Sequence, residues 1–255
     1  MMTPQQIEIV KSTVPVLREN GVTLTSYFYQ RMLKNNPELK NVFNLDHQST
    51  GRQPRALAAA VLAYAENIEN PGALGKAVER MTTKHVSLDI QPDQYMIVGE
   101  NLLHSISEVL NVPFESDLIE AWKQAYLQLA DIMIGVEKQK YDTLAHNQGG
   151  WAGWREFEIK AVEAAENGKR MTIAPKDGKA VTPAEAGHFI SVKVHVKKHG
   201  IDQPQQFTFV ENQGNTDYSF IVTPEENPTE FSVAKILLED YQVGDSVEVT
   251  APVKL

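Results

Sequence analysis

The stretch LGKAVERMTTKHVSLDIQPDQYMIVGENLLHSI (74–106) carries two helical stripes in succession. Leu74, Val78, Met81 and His85 recur at intervals of three and four, and after Pro92 the residues Tyr95, Val98, Leu102 and Ile106 do the same. Such spacing places each set on one face of an α-helix. The period extends toward the N-terminus. Leu57, Val61, Tyr64 and Ile68 form a stripe ending at Asn70-Pro71-Gly72, and Leu24, Phe28 and Met32 mark a helix that stops before Asn36-Pro37. Thr3-Pro4-Gln5-Gln6 reads as a capping box with proline at the first helical position. Ile7, Val10 and Val14 supply a face there, and Pro15 should kink or restart the helix. Toward the C-terminus, Trp122, Leu129, Met133 and Val136 define a long helix after Ser116. The first half reads as all-α.

Near residue 150 the period drops to two. Ile190, Val192, Val194 and Val196 alternate with Ser191, Lys193 and His195, the pattern of a half-buried strand. Phe157/Ile159, Phe207/Phe209 and Val247/Val249 repeat it, with turn chemistry at Asn167-Gly168, Asp177-Gly178, Gln213-Gly214 and Asn227-Pro228. One helical stretch, Ser232 to Leu238, interrupts the strands. A small antiparallel β-barrel carrying one helix is expected. Asn147-Gln148-Gly149-Gly150 is the natural boundary, giving domains over 1–147 and 148–255.

Composition narrows the function classes. A net charge of −9 over 255 residues argues against nucleic acid and against anionic membranes as partners. The absence of cysteine excludes disulfides, thiolate-ligated haem, iron–sulfur clusters and a thiol nucleophile. The start, MMTPQQIEIV, has no basic region followed by an apolar core, and no apolar run approaches the roughly 18 residues of a membrane helix. A cytoplasmic protein is expected.

His85 lies on an apolar stripe, four residues after Met81 and seven after Val78. Two readings fit: a core histidine bonded to a neighbour, or a proximal ligand to haem iron, which needs a rigid helix and an apolar surround. Spacing leaves both open. The other histidines, 47, 104, 146, 188, 195 and 199, show no metal-ligand spacing and read as surface or core residues.

Tyr29, Phe43, Gln53, Leu57, His85, Tyr95 and Glu137 stand in the order and approximate spacing of the bacterial flavohaemoglobins. The phrases NNPELKNVF (35–43), AYAENIEN (63–70), KHVSLDIQPDQYMIVGENLL (84–103) and GGWAGWREFEI (149–159) resemble that family as well. The resemblance implies a globin fold holding haem b, with His85 as the proximal ligand and Tyr95 and Glu137 bonded behind it. A carboxylate on a ligating imidazole raises its basicity and fixes its orientation. Tyr29 and Gln53 would face the bound gas, Leu57 would narrow the pocket, Phe43 would wedge against the porphyrin, and Lys84 would approach a propionate or a partner domain. Each also has a plainer reading. Tyr29, Tyr95 and Phe43 could be packing residues, Gln53 a surface residue before Pro54, and Lys84 an exposed lysine. Pro54 lacks an N–H, so the helix is expected to begin there with Gln53 at or near its cap.

Residues 151–255 resemble the FAD domain of ferredoxin-reductase-like proteins, with departures. Where that family carries Arg-x-Tyr-Ser, this chain has Gln205-Gln206-Phe207-Thr208, which removes a permanent charge and a bidentate phosphate fork. Pro-Gly-Gln-Tyr is replaced by Ala186-Gly187-His188-Phe189, and a Gly-rich phosphate loop by Pro228-Thr229-Glu230-Phe231-Ser232, where Glu230 would repel phosphate. FAD binding is therefore expected to be weak or absent. The sequence ends at Ala251-Pro252-Val253-Lys254-Leu255 without a G-x-G-x-x-G segment or βαβ pattern, so no NAD site is expected in this chain and electrons would come from a separate flavin reductase.

The function these residues favour is oxidation of nitric oxide to nitrate by an O2-binding haem. The alternative is an O2 or NO carrier or sensor whose β domain docks with another protein. In a third reading that domain binds a non-flavin ligand in a cleft lined by His188, Phe189, Gln205 and Phe207.

Overall fold

Local chemistry sets the helices. In the computed structural model, which describes residues 2–185, 187–211 and 214–254, Thr3 and Gln6 form the reciprocal capping box that opens α1 (Pro4–Ser12). Thr13 then ends that helix and α2 (Val14–Asn35) restarts with Pro15 in its first turn, where a missing N–H costs nothing. A 3-10 turn over Pro37–Asn41, the short α3 (Leu45–Ser49) and α4 (Arg52–Glu66) follow. A second 3-10 turn, Pro71–Leu74, precedes α5 (Gly75–Val86), and α6 (Pro92–Leu110) and α7 (Asp117–His146) complete the helical half. Helix α4 starts two residues before the proline at which it was expected to start. Gly51 takes the left-handed conformation (φ 69°) as its cap, so Gln53 and Pro54 both lie inside the first turn. Pro54 is tolerated there because first-turn N–H groups have no intrahelical acceptor.

The β half contains β1 (Trp154–Ala165), β2 (Gly168–Pro175), β3 (His188–Val196), β4 (Ile201–Glu211), β5 (Tyr218–Val222), β6 (Ser246–Thr250) and β7 (Val253–Lys254), with α8 (Val233–Asp240) between β5 and β6. Ser232 caps α8 through its hydroxyl, which accepts from the Lys235 amide. Every described pairing is antiparallel, in the order β4-β5-β2-β1-β6-β3-β7. The additional pairing of β3 with β4, from Phe189↔Thr208 to Val196↔Ile201, closes the ring. Its inward residues, among them Phe157, Ile173, Val192, Phe207, Phe220 and Val249, form one apolar core with Val233 and Leu237 of α8. Among the described residues, closure leaves only β7 as a short edge strand. Ala186, Gln213 and Leu255, parts of motifs read from the sequence, lie outside the described residues.

The chain forms two compact units that do not coincide with its sequential halves. The first comprises Met1–Leu39, His47–Arg80 and Gln91–Val136, and the second Lys40–Asp46, Met81–Ile90 and Glu137–Leu255. Secondary structure changes type after His146, whereas the second unit reaches back to take in the ends of α5 and α7. Among the described residues no helix is long and apolar enough to cross a membrane.

Candidate haem-ligand site

Within the second unit, the end of α5 meets the last turns of α7. His85 occupies the final turn of α5, and its carbonyl accepts from the amides of Leu88 (2.9 Å) and Ile90 (3.1 Å). Asp89 supplies the left-handed residue (φ 57°) this sharp stop needs, a conformation asparagine and aspartate adopt more readily than most side chains. Helix α7 brings up Glu137, four residues after the buried Met133, and its Oε1 lies 2.8 Å from His85 Nδ1. Glu137 is only 3% exposed, so its carboxylate depends on such partners. The His85 side chain keeps 34% of its surface accessible. One turn on, Tyr141 donates to the Ile90 carbonyl at 2.8 Å, and burial pushes its phenol pKa up, with Asp89 and Glu137 adding to the shift. Lys140 donates to the Thr83 hydroxyl at 3.0 Å. The result is an imidazole on a capped helix end, held through Nδ1 by a buried carboxylate. That is the donor chemistry of a ligand that coordinates through Nε2 and is oriented from behind, and it fits haem iron. Of the other expected residues in this unit, Phe43 is half-buried and Lys84 is exposed.

The first unit contains Tyr29, Gln53, Leu57 and Tyr95. Helices α2 and α4 approach closely because Gly21 faces Ala58, where an added Cβ would sit 3.4 Å from the alanine methyl, and because Thr25 donates to the Pro54 carbonyl at 2.7 Å. The two contacts run in opposite directions along the helices, so Tyr29, one turn beyond Thr25, lies toward the start of α4, where Gln53 sits. Tyr29 is buried, its ring edge-on to Phe28 at 4.9 Å, and burial raises its phenol pKa well above the usual value. The Gln53 Oε1 accepts from Gln48 Nε2 at 3.1 Å, and Leu57 is half-buried one turn along. Tyr95 is buried on α6, and its carbonyl accepts from the Tyr126 hydroxyl at 2.6 Å. The structure thus brings Glu137 to His85 within one unit, while Tyr29, Gln53, Leu57 and Tyr95 belong to the other.

In the barrel, the rings expected to line an open cleft are core residues. Phe207 is 7% exposed, 4.9 Å from Phe220, and Phe189 packs with Val86 and Val253. His188 Nδ1 accepts from the Glu185 amide at 3.0 Å, and Gln205 is half-buried. Glu230 does not stand alone: Lys198 and, at 3.1 Å, His199 bond its carboxylate and hold its pKa below the ordinary range. Sequence reasoning missed Ser87, Gln203 and Thr250, all buried polar residues beside this site. The available signal was Gln203, a glutamine in phase with the inward-facing Phe207 of β4.

A globin family model matches residues 26–133. The flavohemoprotein of Chromobacterium violaceum is 43% identical over 258 aligned positions, covering 99% of this chain and 63% of that protein. A crystal structure of the flavohemoglobin from Malassezia yamatoensis with bound FAD and heme superposes with a TM-score of 0.87 at 26% identity, covering 99% of this chain and 64% of that one. A bacterial globin from Campylobacter jejuni is 41% identical with a TM-score of 0.53, covering 55% of this chain and 99% of that structure. The chain therefore spans about 63% of the length of the curated relatives it matches. The separate reductase expected from the sequence finds no support here, because the flavohemoprotein and the flavohemoglobin are longer proteins that align with 99% of this chain.

Proposed function

Since this chain belongs to the flavohaemoglobin family, a globin domain followed by a β domain of the FAD-binding reductase type, we propose that it binds O2 and NO at a haem and converts nitric oxide to nitrate. The overall balance is one NO, one O2 and one electron to one nitrate ion. Haem, when bound, supplies an iron that takes up a diatomic gas and exchanges an electron.

The chain's own residues prepare that chemistry. His85 is the iron ligand through Nε2. Glu137 holds the proton at Nδ1, fixing the tautomer and ring orientation and making the imidazole a stronger electron donor. This 2.8 Å contact to a buried carboxylate carries the reading, because a passive carrier has no need to enrich its proximal ligand. By the family pattern, Tyr95 belongs to the same proximal set, Phe43 and Leu57 pack against the porphyrin, and Lys84 serves a propionate. Tyr29 keeps its proton at Oη at any physiological pH, as its burial requires, so it is a constant donor to a polar gas molecule. Gln53 is a second donor once its amide turns from Gln48.

In this reading the β domain binds FAD weakly or not at all, unlike the flavohemoglobin from Malassezia yamatoensis, whose structure holds it. Gln205 offers no fixed charge to a pyrophosphate, and the Phe207 ring is buried in the barrel core. The absorption spectrum of the purified protein should show a Soret band and no flavin bands, and His85→Ala should abolish the Soret band. Stopped-flow mixing of the oxygenated protein with NO should yield nitrate, and turnover should continue for as long as electrons are supplied. Gas binding without sustained nitrate formation would favour the carrier or sensor reading.

A further inference from the structure

Two segments remote in sequence are fastened to the barrel inside the second unit: 40–46, which carries Phe43, and 81–90, which carries His85. Gln203 on β4 is fully buried at 0% exposure. Its Nε2 donates to the Lys40 carbonyl at 2.7 Å and approaches that of Phe43 at 3.4 Å, and its Oε1 accepts from the Leu45 amide at 2.8 Å. A buried amide is tolerated only when both its ends are bonded, and here both reach a segment about 160 residues earlier in the chain. On β6, the Thr250 hydroxyl, 2% exposed, donates to the Ser87 carbonyl at 3.1 Å and accepts from the Ser191 amide at 3.1 Å. Ser87 is two residues from His85, its hydroxyl donates to the Lys84 carbonyl at 2.7 Å, and Gln206 donates to that hydroxyl at 3.3 Å. Between them, Val86 packs against Phe189 and Val253.

We propose that the barrel is part of the haem-holding apparatus, with Gln203 positioning the segment that bears Phe43 and Thr250 positioning the helix end that bears His85. The proposal rests on the haem reading above and goes beyond it: both residues act on haem through the backbone they hold, without touching it. A helix end bonded on its carbonyl side cannot drift, so the imidazole keeps one distance and tilt, and a fixed 40–46 turn keeps one wall in place.

The test uses the full chain with Thr250→Val, which keeps the shape and loses the hydroxyl, and Gln203→Met, which keeps the length and loses the amide. Haem transfer to excess apomyoglobin should accelerate about tenfold or more in each, because each substitution removes at least two hydrogen bonds. The ferrous iron–histidine stretching frequency should shift in Thr250→Val and stay in place in Gln203→Met. In the haem-free protein, hydrogen exchange at the Leu45 amide should speed up in Gln203→Met and stay at the wild-type rate in Thr250→Val. Should Gln203→Met fail to fold, Thr250→Val decides through its haem transfer and its stretching frequency. Wild-type haem transfer and an unmoved stretch in variants that melt at lower temperature would overturn the proposal, because a merely structural role predicts that outcome. A wild-type chain that takes up no haem removes the haem reading itself, and the positioning roles with it.

Discussion

At the residue scale the protein turns on one buried carboxylate. Glu137 sits where an unpaired charge would be costly, and its Oε1 lies 2.8 Å from His85 Nδ1. Glu137→Gln preserves the shape and removes the charge, so haem content should stay near wild type. The iron–histidine stretching frequency should fall and nitrate production drop by about tenfold or more, as replacing the group bonded behind a metal-ligating imidazole commonly does. Unchanged turnover would contradict the activating role. In the proposed reading Tyr29 is a donor to the bound gas, and Tyr29→Phe removes a hydroxyl whose proton burial holds in place. The O2 dissociation rate measured by rapid mixing should rise about tenfold, the equivalent of roughly 1.4 kcal/mol. Sequence marked both residues as candidates. The family resemblance implied that Glu137 bonds His85, whereas local pattern alone could not, because that contact joins positions 52 apart.

At the scale of elements, close packing of α6 on α7 depends on one missing methyl. A Cβ on Gly99 would collide with the Tyr126 ring, whose hydroxyl is bonded to the Tyr95 carbonyl at 2.6 Å. The ring cannot retreat without breaking that bond. Gly99→Ala should therefore destabilise the protein by about 1–3 kcal/mol despite alanine's better helix propensity, read as a lower denaturant midpoint at constant slope. A midpoint at or above wild type would show that the two helices can part without loss. Helix starts and stops were legible because their signals are local: the Thr3–Gln6 box, Pro15, Asn36-Pro37 and the Ser232 cap all act within four residues. The start of α4 was less so, since Pro54 marks a first turn without saying which residue of that turn it occupies, and Gly51 decided it.

Across the whole molecule, burial of tyrosines sets an alkaline limit. Tyr29, Tyr64, Tyr126, Tyr141 and Tyr218 all have phenol pKa values raised by desolvation, Tyr64 to about 12. In the unfolded chain they titrate near 10. Their folded-state values are higher, so their stabilising contribution is complete below about pH 10 and is lost as pH rises further, because the unfolded state then sheds protons that the folded state retains. Melting temperature should be nearly flat from about pH 8 to about pH 10 and fall steeply above it, with phenolate absorbance appearing together with unfolding. Phenolate formation well before unfolding would mean these hydroxyls are not sequestered. The sequence by itself determined the helical and strand-rich halves and where one gives way to the other, because hydrophobic period and turn chemistry are written over a few neighbouring residues. Only the tertiary structure decided that β3 returns to β4 to close the barrel, that 40–46 and 81–90 belong with it, and that a glutamine at 203 serves a segment near residue 40. Those choices rest on hydrogen bonds and packing between residues far apart along the chain, and local pattern carries no information about which distant groups will meet.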